Sequence, residues 1–536
     1  MERESMLWFF LVCVIIYMVF YFLMRAGDYI WWRPKRIEVH FSKQGIRGPK
    51  YHFLLGNTKE LLGFMVKAAS QSLPLSHHTS LPRVLPFYHQ WQKLYGRTFL
   101  VWFGPTARLT VSDPILIKDI LINRSELFEK VESPPHVRKL EGDGLVTLQG
   151  EKWAHHRKII TPSFYMDNLE LMVPIMGKSM RKMVDDWFKM SKGSKIEIDV
   201  SRWFQELTEE IITHTFFGRS YEEGKKIFEL HSRNMIYAIG SYNKIIIPGY
   251  RFLPIKQNRQ FRKLDREIGT SLKKIIDHRL KDYNNSGVRS AKYPNDLLEL
   301  MIQASIKSEH TKEMSTWGVS ASQSPSAFFI TASDIIEECK TMLFAGKYTT
   351  SSLMTWTIVL LAMHPQWQEL AREEVLRNCG DHDIPTKGHV AKLKTLSMIL
   401  KESLRLYPPA VALLRRAKCD MELGGCTILR RTELMLPILA VHHAPVIWGQ
   451  DATEFNPARF SRGVSHAAKH LTAFMPFGLG ARRCIGENLA MLQTKLAIAM
   501  ILQQFSFVLA PSYQHAPTVV MLLDPQYGAP ITFHTL

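Results

Sequence analysis

Cysteine is scarce in this chain of 536 residues, which has only six, and no two of them form a C-x-x-C pair. A secreted domain held together by disulfides is far richer in cysteine, and structural zinc sites usually draw ligands from such pairs. The sequence therefore excludes a disulfide scaffold and disfavours a structural zinc cluster.

Internal repeats and blocks of consecutive basic residues are also missing, although the formal net charge is +19 at pH 7. The basic arm of many nucleic-acid-binding proteins is such a block, whereas the basic residues here are dispersed. Hydrophobic residues make up 46% of the chain and charged residues 22%, which excludes a disordered chain, a collagen or a coiled-coil rod. We expect a globular protein with a large core and no nucleic-acid partner.

An uninterrupted apolar run extends from Met6 to Met24. Its length is that of a helix that crosses a bilayer, which takes about 20 apolar residues. Bulky apolar residues continue to its end and no A-x-A cleavage site follows, so a retained anchor is favoured over a cleaved signal peptide. One basic residue precedes the run and four follow between Arg25 and Arg36, so the positive-inside rule predicts that the C-terminal part faces the cytoplasm.

We divide the chain into a membrane anchor at residues 1–30, a basic linker with Pro and Gly at 31–50, and one large domain at 51–536. That domain is predicted to be mainly α with a minor β part. The segment from Thr98 to Val111 predicts two strands about a Gly-Pro turn.

A long helix is predicted from Asp334 to Met363, entered through Thr331 and stopped by Pro365. Before it, the serine-rich stretch at residues 315–326 lacks periodicity and predicts a surface linker.

The strongest chemical signal is the segment FGLGARRCIG, from Phe477 to Gly486. It is a glycine-bearing loop that delivers Cys484 to the start of a helix, where backbone N–H groups and the helix dipole favour the thiolate. Gly480 and Gly486 allow the backbone to pass close to a large flat object on which Phe477 can pack, and Arg482 suits an acidic group at its edge. By itself such a cysteine could be a nucleophile, a redox sensor or a metal ligand.

At every fixed position this segment resembles the haem-binding signature F-x-x-G-x-R-x-C-x-G of cytochromes P450. The resemblance implies the cytochrome P450 fold, here preceded by a single transmembrane helix. It implies haem b as the cofactor, with Cys484 as the axial iron ligand and Phe477, Gly480, Arg482 and Gly486 around the haem. The other five cysteines are then structural thiols.

Further motifs agree with the resemblance. In KESLRLYPP and FNPARF, Glu402, Arg405 and Arg459 match the family's Glu-Arg-Arg network, to which we assign a structural role.

Three more residues match haem-binding positions of the family. In WAHHR, Trp153 and Arg157 match residues that bind a haem propionate, and Arg415 occupies the position of another propionate-binding arginine. The adjacent His155 and His156 could suggest a metal, but neighbouring side chains diverge on a helix. We therefore expect no metal there.

The segment AGKYTT, from Ala345 to Thr350, lies in the middle of the predicted long helix. In the family this segment lies over the iron, where a small pair of residues leaves space for dioxygen and a threonine helps to deliver protons. The resemblance maps these roles onto Gly346 and Thr349. The chain departs from the family at Tyr348, where an acid is usual, so protons must arrive through Thr349 and ordered water or by another relay.

Over its whole length the chain resembles the plant P450 clan that oxidises hormones and terpenoids. Segments such as AVHHAPVIWG and YQHAPTVVMLLDPQYGAPITF are most similar to the brassinosteroid-inactivating enzymes, which hydroxylate C-26 of castasterone and brassinolide. This implies an NADPH- and O2-dependent steroid hydroxylase of the endoplasmic reticulum membrane. The implied substrate pocket is apolar, with these candidate lining residues: Phe344, Ala345, Val411, Leu413 and Val520.

A nucleotide fingerprint is missing, because Gly478 and Gly480 are followed by Arg483 where G-x-G-x-x-G requires glycine. The resemblance therefore implies that electrons come from NADPH through a separate NADPH–cytochrome P450 reductase. Two alternatives stay open: a P450 of the same clan that oxidises a cytokinin, a gibberellin or a triterpenoid, and a non-catalytic, membrane-bound haem sensor. The retained Thr349 argues against the sensor.

Overall fold

The computed structural model describes these residues: 2–75, 78–242, 252–286, 296–303, 305–306, 330–381 and 384–536. The predicted linker at 315–326 lies outside them. As predicted, the described chain is mainly helical with a minor sheet component.

Contacts divide the chain into two compact units. The first comprises Met1–Gln71, Leu81–Val131 and Ala412–Pro437. The second comprises Ser72–Ser80, Glu132–Val411 and Ile438–Leu536. The prediction of one domain over residues 51–536 is not tested by this division and stays a prediction.

Twelve strands lie in the described part of the chain: β1 (Leu100–Phe103), β2 (Thr106–Thr110), β3 (Phe128–Lys130), β4 (Lys195–Asp199), β5 (Leu413–Ala417), β6 (Met421–Leu423), β7 (Cys426–Ile428), β8 (Glu433–Leu436), β9 (Phe505–Leu509), β10 (Pro517–Val519), β11 (Leu523–Pro525) and β12 (Pro530–Thr535). The first unit holds a five-stranded sheet in the order β1-β2-β8-β5-β3 and the β6-β7 hairpin. The second holds a three-stranded sheet in the order β4-β12-β9 and the β10-β11 hairpin. Strands β1 and β2 are the pair predicted about the Gly-Pro turn.

The first unit begins with the helix Glu2–Gly27, whose apolar side chains are exposed. Within the described residues it is the one helix that is long and apolar enough to cross a membrane. A π-helix at Asp28–Trp32 and a helix at Arg33–Lys43 follow it directly. Ile37 and Phe41 are buried, so residues of the linker predicted at 31–50 contribute to the core of this unit. The boundaries at residues 30 and 50 stay predictions.

Further helices of the first unit are Thr58–Ala69, Leu81–Val84, Pro86–Tyr95 and Pro114–Lys118. The helices of the second unit include Pro135–Glu141, Gly150–Ile160, Met166–Glu170, Val173–Ser191, Val200–Phe217, Tyr221–Tyr242, Lys256–Ser286, Ala332–Met363, Pro365–Cys379, Lys387–Lys392, Lys394–Leu406, Ile438–His442, Pro445–Trp448, Val464–Ala467 and Glu487–Gln504.

The helix Ala332–Met363, here called the central helix, organises the second unit. It confirms the predicted long helix and begins two residues earlier than expected. Its first turn is held by a capping box, because the Thr331 hydroxyl accepts from the Asp334 N–H and the Asp334 carboxylate accepts from the Thr331 N–H. Every residue from 350 to 362 is buried, so its C-terminal half runs through the core.

Candidate functional site

The loop from Phe477 to Gly486, here called the cysteine loop, owes its shape to glycine. Gly478 and Gly480 have φ values of 72° and 70°, in the left-handed region that residues with a Cβ rarely adopt. The Cys484 N–H donates to the Phe477 carbonyl at 2.8 Å, which closes the loop. Gly486 then caps the helix Glu487–Gln504, so Cys484 stands just before a helix N-terminus, as the sequence suggests.

The Cys484 side chain is exposed, yet the surrounding protein desolvates it and so raises the pKa of its thiol. Three groups act in the opposite direction and favour the thiolate: the Gly486 N–H, which hydrogen-bonds the sulfur, and the positive charges of Arg157 and Arg483. An accessible sulfur held in this way is suited to bind a metal ion that supplies further positive charge.

Two guanidinium groups belong to this site, that of Arg482 in the cysteine loop and that of Arg157, whose charge acts on Cys484. Burial lowers the pKa of both Arg157 and Arg482. Arg482 stacks over the Trp153 ring at 4.3 Å and donates to the Leu148 carbonyl at 2.9 Å. Among the residues that the structure describes, no carboxylate lies within ion-pair distance of either guanidinium. The pair is therefore ready to receive an anionic group from outside the chain.

These donors fit haem. A thiolate serves as an iron ligand, and two partly buried arginines match the two propionates at one edge of a flat macrocycle. Trp153, Arg157, Arg482 and Cys484 come together in the second unit. Arg415 lies on β5 in the first unit, where its Nη1 donates to the Leu414 carbonyl at 2.8 Å, and its part in haem binding stays a prediction.

The Glu-Arg-Arg motif forms a buried network. Arg405 binds both carboxylate oxygens of Glu402 at 2.7 Å, and both side chains are fully buried. The Arg459 Nε lies 3.7 Å from Glu402 Oε1. Sequence reasoning missed Asp451, which binds Arg459 Nη2 at 2.6 Å. Burial acts to raise the pKa of the Asp451 carboxyl, but the hydrogen bonds from Arg459 and Asn456 and the Arg459 charge together outweigh it and lower that pKa.

Thr349 and Gly346 lie on the central helix. The Thr349 hydroxyl donates to the Ala345 carbonyl at 2.7 Å, which leaves its oxygen free to accept a further hydrogen bond. A Cβ at Gly346 would lie 2.5 Å from Cδ1 of Ile212, so glycine here permits close packing by the helix Val200–Phe217. The structure thus adds a packing reason for Gly346, and its role in oxygen binding stays a prediction.

Two polar contacts of the central helix could not be predicted from the sequence, because their partners lie far away in the chain. Lys347 is ion-paired with Glu209, and its Nζ also donates to the Ser232 hydroxyl at 3.0 Å. His156 of the WAHHR segment lies 2.7 Å from Glu338, and both side chains are fully buried. No motif in the sequence marks either pair.

The candidate substrate region contains a buried apolar cluster formed by Leu140, Met235, Ala238 and Phe261. Phe344, Tyr348 and Met521 pack against this apolar cluster.

The structure places the other four predicted lining residues as follows, and their part in substrate binding stays a prediction. Ala345 follows Phe344 on the central helix, and Val520 precedes Met521 and is 55% exposed. Val411 is buried in the second unit, whereas Leu413 lies on β5 in the first. The sequence did not single out Met235 and Ala238 of the apolar cluster, since the position of an apolar residue on a helix does not reveal what it contacts.

A sequence profile described as "Cytochrome P450" matches residues 82–527. The chain is 55% identical to cytochrome P450 734A1 of Arabidopsis thaliana over 100% of this chain and 99% of that protein. It is 53% identical to cytochrome P450 734A6 of Oryza sativa subsp. japonica over 95% of this chain and 93% of that protein. The retinoic acid-bound cyanobacterial CYP120A1 superposes with a TM-score of 0.70 at 21% identity, over 87% of this chain and 98% of that chain, which indicates a common fold.

Proposed function

The chain belongs to the cytochrome P450 family, and on that premise we propose that it hydroxylates C-26 of brassinosteroids such as castasterone and brassinolide, which inactivates the hormone. As a P450 monooxygenase it carries haem b and uses dioxygen, with electrons that a separate reductase transfers from NADPH. Its substrate is hydrophobic.

Haem, when bound, supplies the activation of dioxygen, and a thiolate ligand promotes O–O cleavage. The residues of this chain have the tasks of binding, orienting and proton transfer. Cys484 would be the axial ligand, Arg157 and Arg482 would bind the propionates, and Trp153 would support Arg482 by stacking. The Thr349 oxygen would hold a water or a transferred proton beside the reacting oxygen.

The steroid assignment rests on the apolar cluster and on sequence resemblance. A rigid steroid skeleton needs a mainly apolar pocket with a few polar groups. Phe344, Tyr348 and Met521 offer such a surface next to the AGKYTT segment. The segments that resemble brassinosteroid-inactivating enzymes include the one that carries Met521.

The ligand assignment is tested by carbon monoxide binding. Reduced protein with carbon monoxide should give the red-shifted Soret band of thiolate-ligated haem, and Cys484→Ser should lose it. Cys419→Ser, at another exposed cysteine, is the matched control and should keep the band. A serine variant of Cys484 with an unchanged band would refute the assignment.

The substrate is tested by incubating the enzyme with castasterone, reductase and NADPH. We expect a product heavier by one oxygen atom, whose fragmentation places the new hydroxyl at C-26. Parallel incubations with a cytokinin, a gibberellin and a triterpenoid serve as comparison. Turnover of one of these instead of castasterone would overturn the steroid assignment and leave the monooxygenase intact.

We also propose that the N-terminal helix anchors the protein in the endoplasmic reticulum membrane with the catalytic part in the cytoplasm. The charge difference across the apolar run supports this orientation. Protease added to sealed microsomes should digest the catalytic part. Protection of that part until the vesicles are opened would contradict the orientation.

A further inference from the structure

A charged cavity of about 550 Å³ lies within the first unit. Its walls come from the chain that directly follows the N-terminal helix, from the β1-β2 turn, and from β3, β5 and the turn before β8. Its volume falls in the range of about 300–1,000 Å³ that is typical of small-molecule sites. Within the described chain, none of the residues assigned above to haem or substrate lines it. Six lining residues carry a charge, and they define what we call the basic cavity: Arg33, Glu129, Arg416, Lys418, Arg430 and Arg431.

Positive charge dominates the basic cavity, since five of these six side chains are basic. The charge of Arg416 is balanced by Glu129 at 3.5 Å and Glu433 at 3.2 Å. In the part of the chain that the structure describes, no carboxylate lies within ion-pair distance of the other four basic side chains. Lys418 Nζ donates to the Glu126 carbonyl at 2.7 Å, which leaves two of its three N–H donors for a ligand. The uncompensated positive charge therefore suits an anion.

Arg430 and Arg431 form the turn before β8. The φ of Arg431 is 68°, in the left-handed region that a residue with a Cβ rarely adopts and that glycine would occupy without strain. The Arg431 N–H donates to the Ala417 carbonyl at 2.8 Å, and the Asp420 carboxylate accepts from the Arg430 N–H. These bonds fix the backbone of the turn and leave both guanidinium groups for another partner. An arginine kept in a strained conformation is typical of a functional site.

The next residue, Thr432, adds a hydroxyl group that lacks a partner. Thr432 lines the cavity and is 2% exposed, and its Oγ1 has no hydrogen-bond partner among the described residues. A buried hydroxyl without a partner costs free energy, so it calls for an explanation. An oxygen atom of a bound anion would supply the missing acceptor.

The basic cavity is close in sequence to the proposed membrane anchor. Tyr29 and Arg33 line it, and the apolar run ends at Met24. With a rise of 1.5 Å per residue, Tyr29 lies about 8 Å beyond that end, which is the level of the lipid headgroups. The exposed Trp31 and Trp32 are of the residue type that is enriched at membrane interfaces. A lipid headgroup is therefore the anion that this position brings to the cavity.

We propose that the basic cavity binds the phosphomonoester headgroup of an anionic lipid such as phosphatidic acid. A phosphomonoester carries about −1.5 to −2 charges near neutral pH, so it matches several uncompensated cations better than a phosphodiester with one charge. Guanidinium groups bind phosphate oxygens through paired hydrogen bonds, and the Thr432 hydroxyl donates to a further oxygen. The bound lipid holds the first unit at the membrane surface. This inference rests on the membrane anchoring proposed above.

The first test identifies the lipid that the full-length protein retains. The protein is reconstituted into nanodiscs of phosphatidylcholine with equal shares of phosphatidic acid and phosphatidylserine, and native mass spectrometry of the released protein identifies the bound lipid. We expect one phosphatidic acid per chain. Arg430→Ala and Arg431→Asn should each weaken its binding by about tenfold or more, the effect of one charge-assisted hydrogen bond. Asparagine tolerates the left-handed backbone at residue 431.

Lys43→Ala is the matched control, because it removes an exposed positive charge from the same unit at a residue that does not line the cavity. It should retain phosphatidic acid as the wild type does. Equal retention of phosphatidylserine, or an equal loss in Lys43→Ala, would mean diffuse attraction to negative lipid and would overturn the proposal.

Thr432→Val separates binding from folding, because it keeps the shape of the side chain and removes the hydroxyl. Phosphatidic acid should bind a few-fold more weakly to this variant. The thermal unfolding midpoint in phosphatidylcholine nanodiscs should not fall, since the hydroxyl has no partner among the described residues. A lower midpoint with unchanged lipid binding would make Thr432 a structural residue and contradict the proposal.

The second test distinguishes a lipid from a soluble phosphate. Inorganic phosphate and glycerol 3-phosphate are titrated calorimetrically into the protein in phosphatidylcholine nanodiscs, and dioctanoyl phosphatidic acid is titrated in parallel. We expect the lipid to bind at least about tenfold more tightly than either soluble phosphate. Equal affinities would assign the cavity to a soluble phosphate and overturn the lipid assignment.

Two further outcomes are distinguishable from these. If Arg430→Ala kept phosphatidic acid but needed more reductase for half-maximal turnover, the cavity would be a contact for the reductase and the proposal would be wrong. Failure of the membrane anchoring would release the wild type from nanodiscs of neutral phosphatidylcholine as well. Failure of the headgroup site alone would leave the wild type anchored without retained phosphatidic acid.

Discussion

Two sets of arginines in the second unit differ in what surrounds them. Arg405 is fully buried and has a carboxylate, Glu402, and three backbone carbonyls as acceptors. Arg157 and Arg482 are partly buried, and in the described chain neither has a carboxylate within ion-pair distance. Arg405 has its acceptors within the protein, whereas Arg157 and Arg482 remain available to an anionic ligand, which we propose to be the haem propionates.

The difference shows how the same side chain serves fold and site. A buried cation is tolerated only when it is paired, so Arg405 must keep Glu402 for the fold to persist. Arg157 and Arg482 keep some access to solvent, which lowers the free-energy cost of a charge that has no ionic partner. An arginine motif with a carboxylate partner inside the protein therefore has a structural role here, and we propose that the arginines without such a partner bind the cofactor.

Loss of Glu402, the carboxylate partner of Arg405, should have the largest effect on the free energy of unfolding. We expect Glu402→Ala to lower the free energy of unfolding by about 3–5 kcal/mol, because it leaves the Arg405 charge buried and unpaired. Denaturant unfolding of the purified protein measures this. Glu206→Ala, which removes the exposed partner of Arg202, is the control and should change stability by less than about 0.5 kcal/mol. Equal losses of stability in Glu402→Ala and Glu206→Ala would contradict the difference between a buried and an exposed ion pair.

Loss of a ligand-facing arginine should weaken haem binding instead of folding. Arg482→Ala should cost about 1.5–3 kcal/mol of haem affinity, the usual contribution of a charge-assisted hydrogen bond. Transfer of haem to an acceptor apoprotein reports this loss. The stability of the apoprotein should not fall, and Arg202→Ala, which removes an exposed guanidinium paired with Glu206, should retain haem. If the apoprotein of Arg482→Ala were unfolded, Arg482 would have a structural role like that of Arg405.

We expect low pH to reduce the stability of the fold through His442, which hydrogen-bonds the backbone of Arg405. Its Nδ1–H donates to the Arg405 carbonyl and its Nε2 accepts from the Met475 N–H, which identifies the neutral tautomer. Burial and, next, the Arg405 charge lower its pKa to about 3. The unfolded state therefore binds more protons below pH 6.5, and stability falls from there toward pH 3, by about 2 kcal/mol for this group at pH 5.

Unfolding midpoints measured between pH 7 and pH 5 test this expectation. His442→Gln should reduce the slope, and a slope that stays the same would mean that His442 does not titrate on unfolding.

The smallest effect is expected at the rim of the network. Asp451→Asn keeps the shape of the side chain but removes its charge opposite Arg459. Because the Asp451 side chain is 35% exposed, solvent screens the pair and the loss should stay below about 1 kcal/mol. Since the pKa of Asp451 is lowered, its contribution is present above the unfolded pKa and is lost as the pH falls through the folded one. A loss as large as that of Glu402→Ala would make Asp451 a full member of the network.

The contacts that can be predicted from the sequence differ between these regions for a physical reason. Glu402 and Arg405 are three apart on one helix, so their contact follows from local geometry. The third member, Arg459, was found through its motif, whereas Asp451 has no motif and was missed. The predicted linker at residues 31–50 proved to contain a helix with buried residues, because a basic composition does not reveal packing.

The amino-acid sequence by itself determined what local geometry and short motifs control. These are the exposed apolar helix at the N-terminus, the capped central helix, and a loop in which left-handed glycines hold Cys484 before a helix. Only the tertiary structure decided which distant side chains meet. The Ser352 hydroxyl donates to the Leu523 carbonyl at 2.6 Å and so joins a C-terminal hairpin to the central helix. The two residues are 171 positions apart, so this contact depends on tertiary packing that no single stretch of sequence encodes.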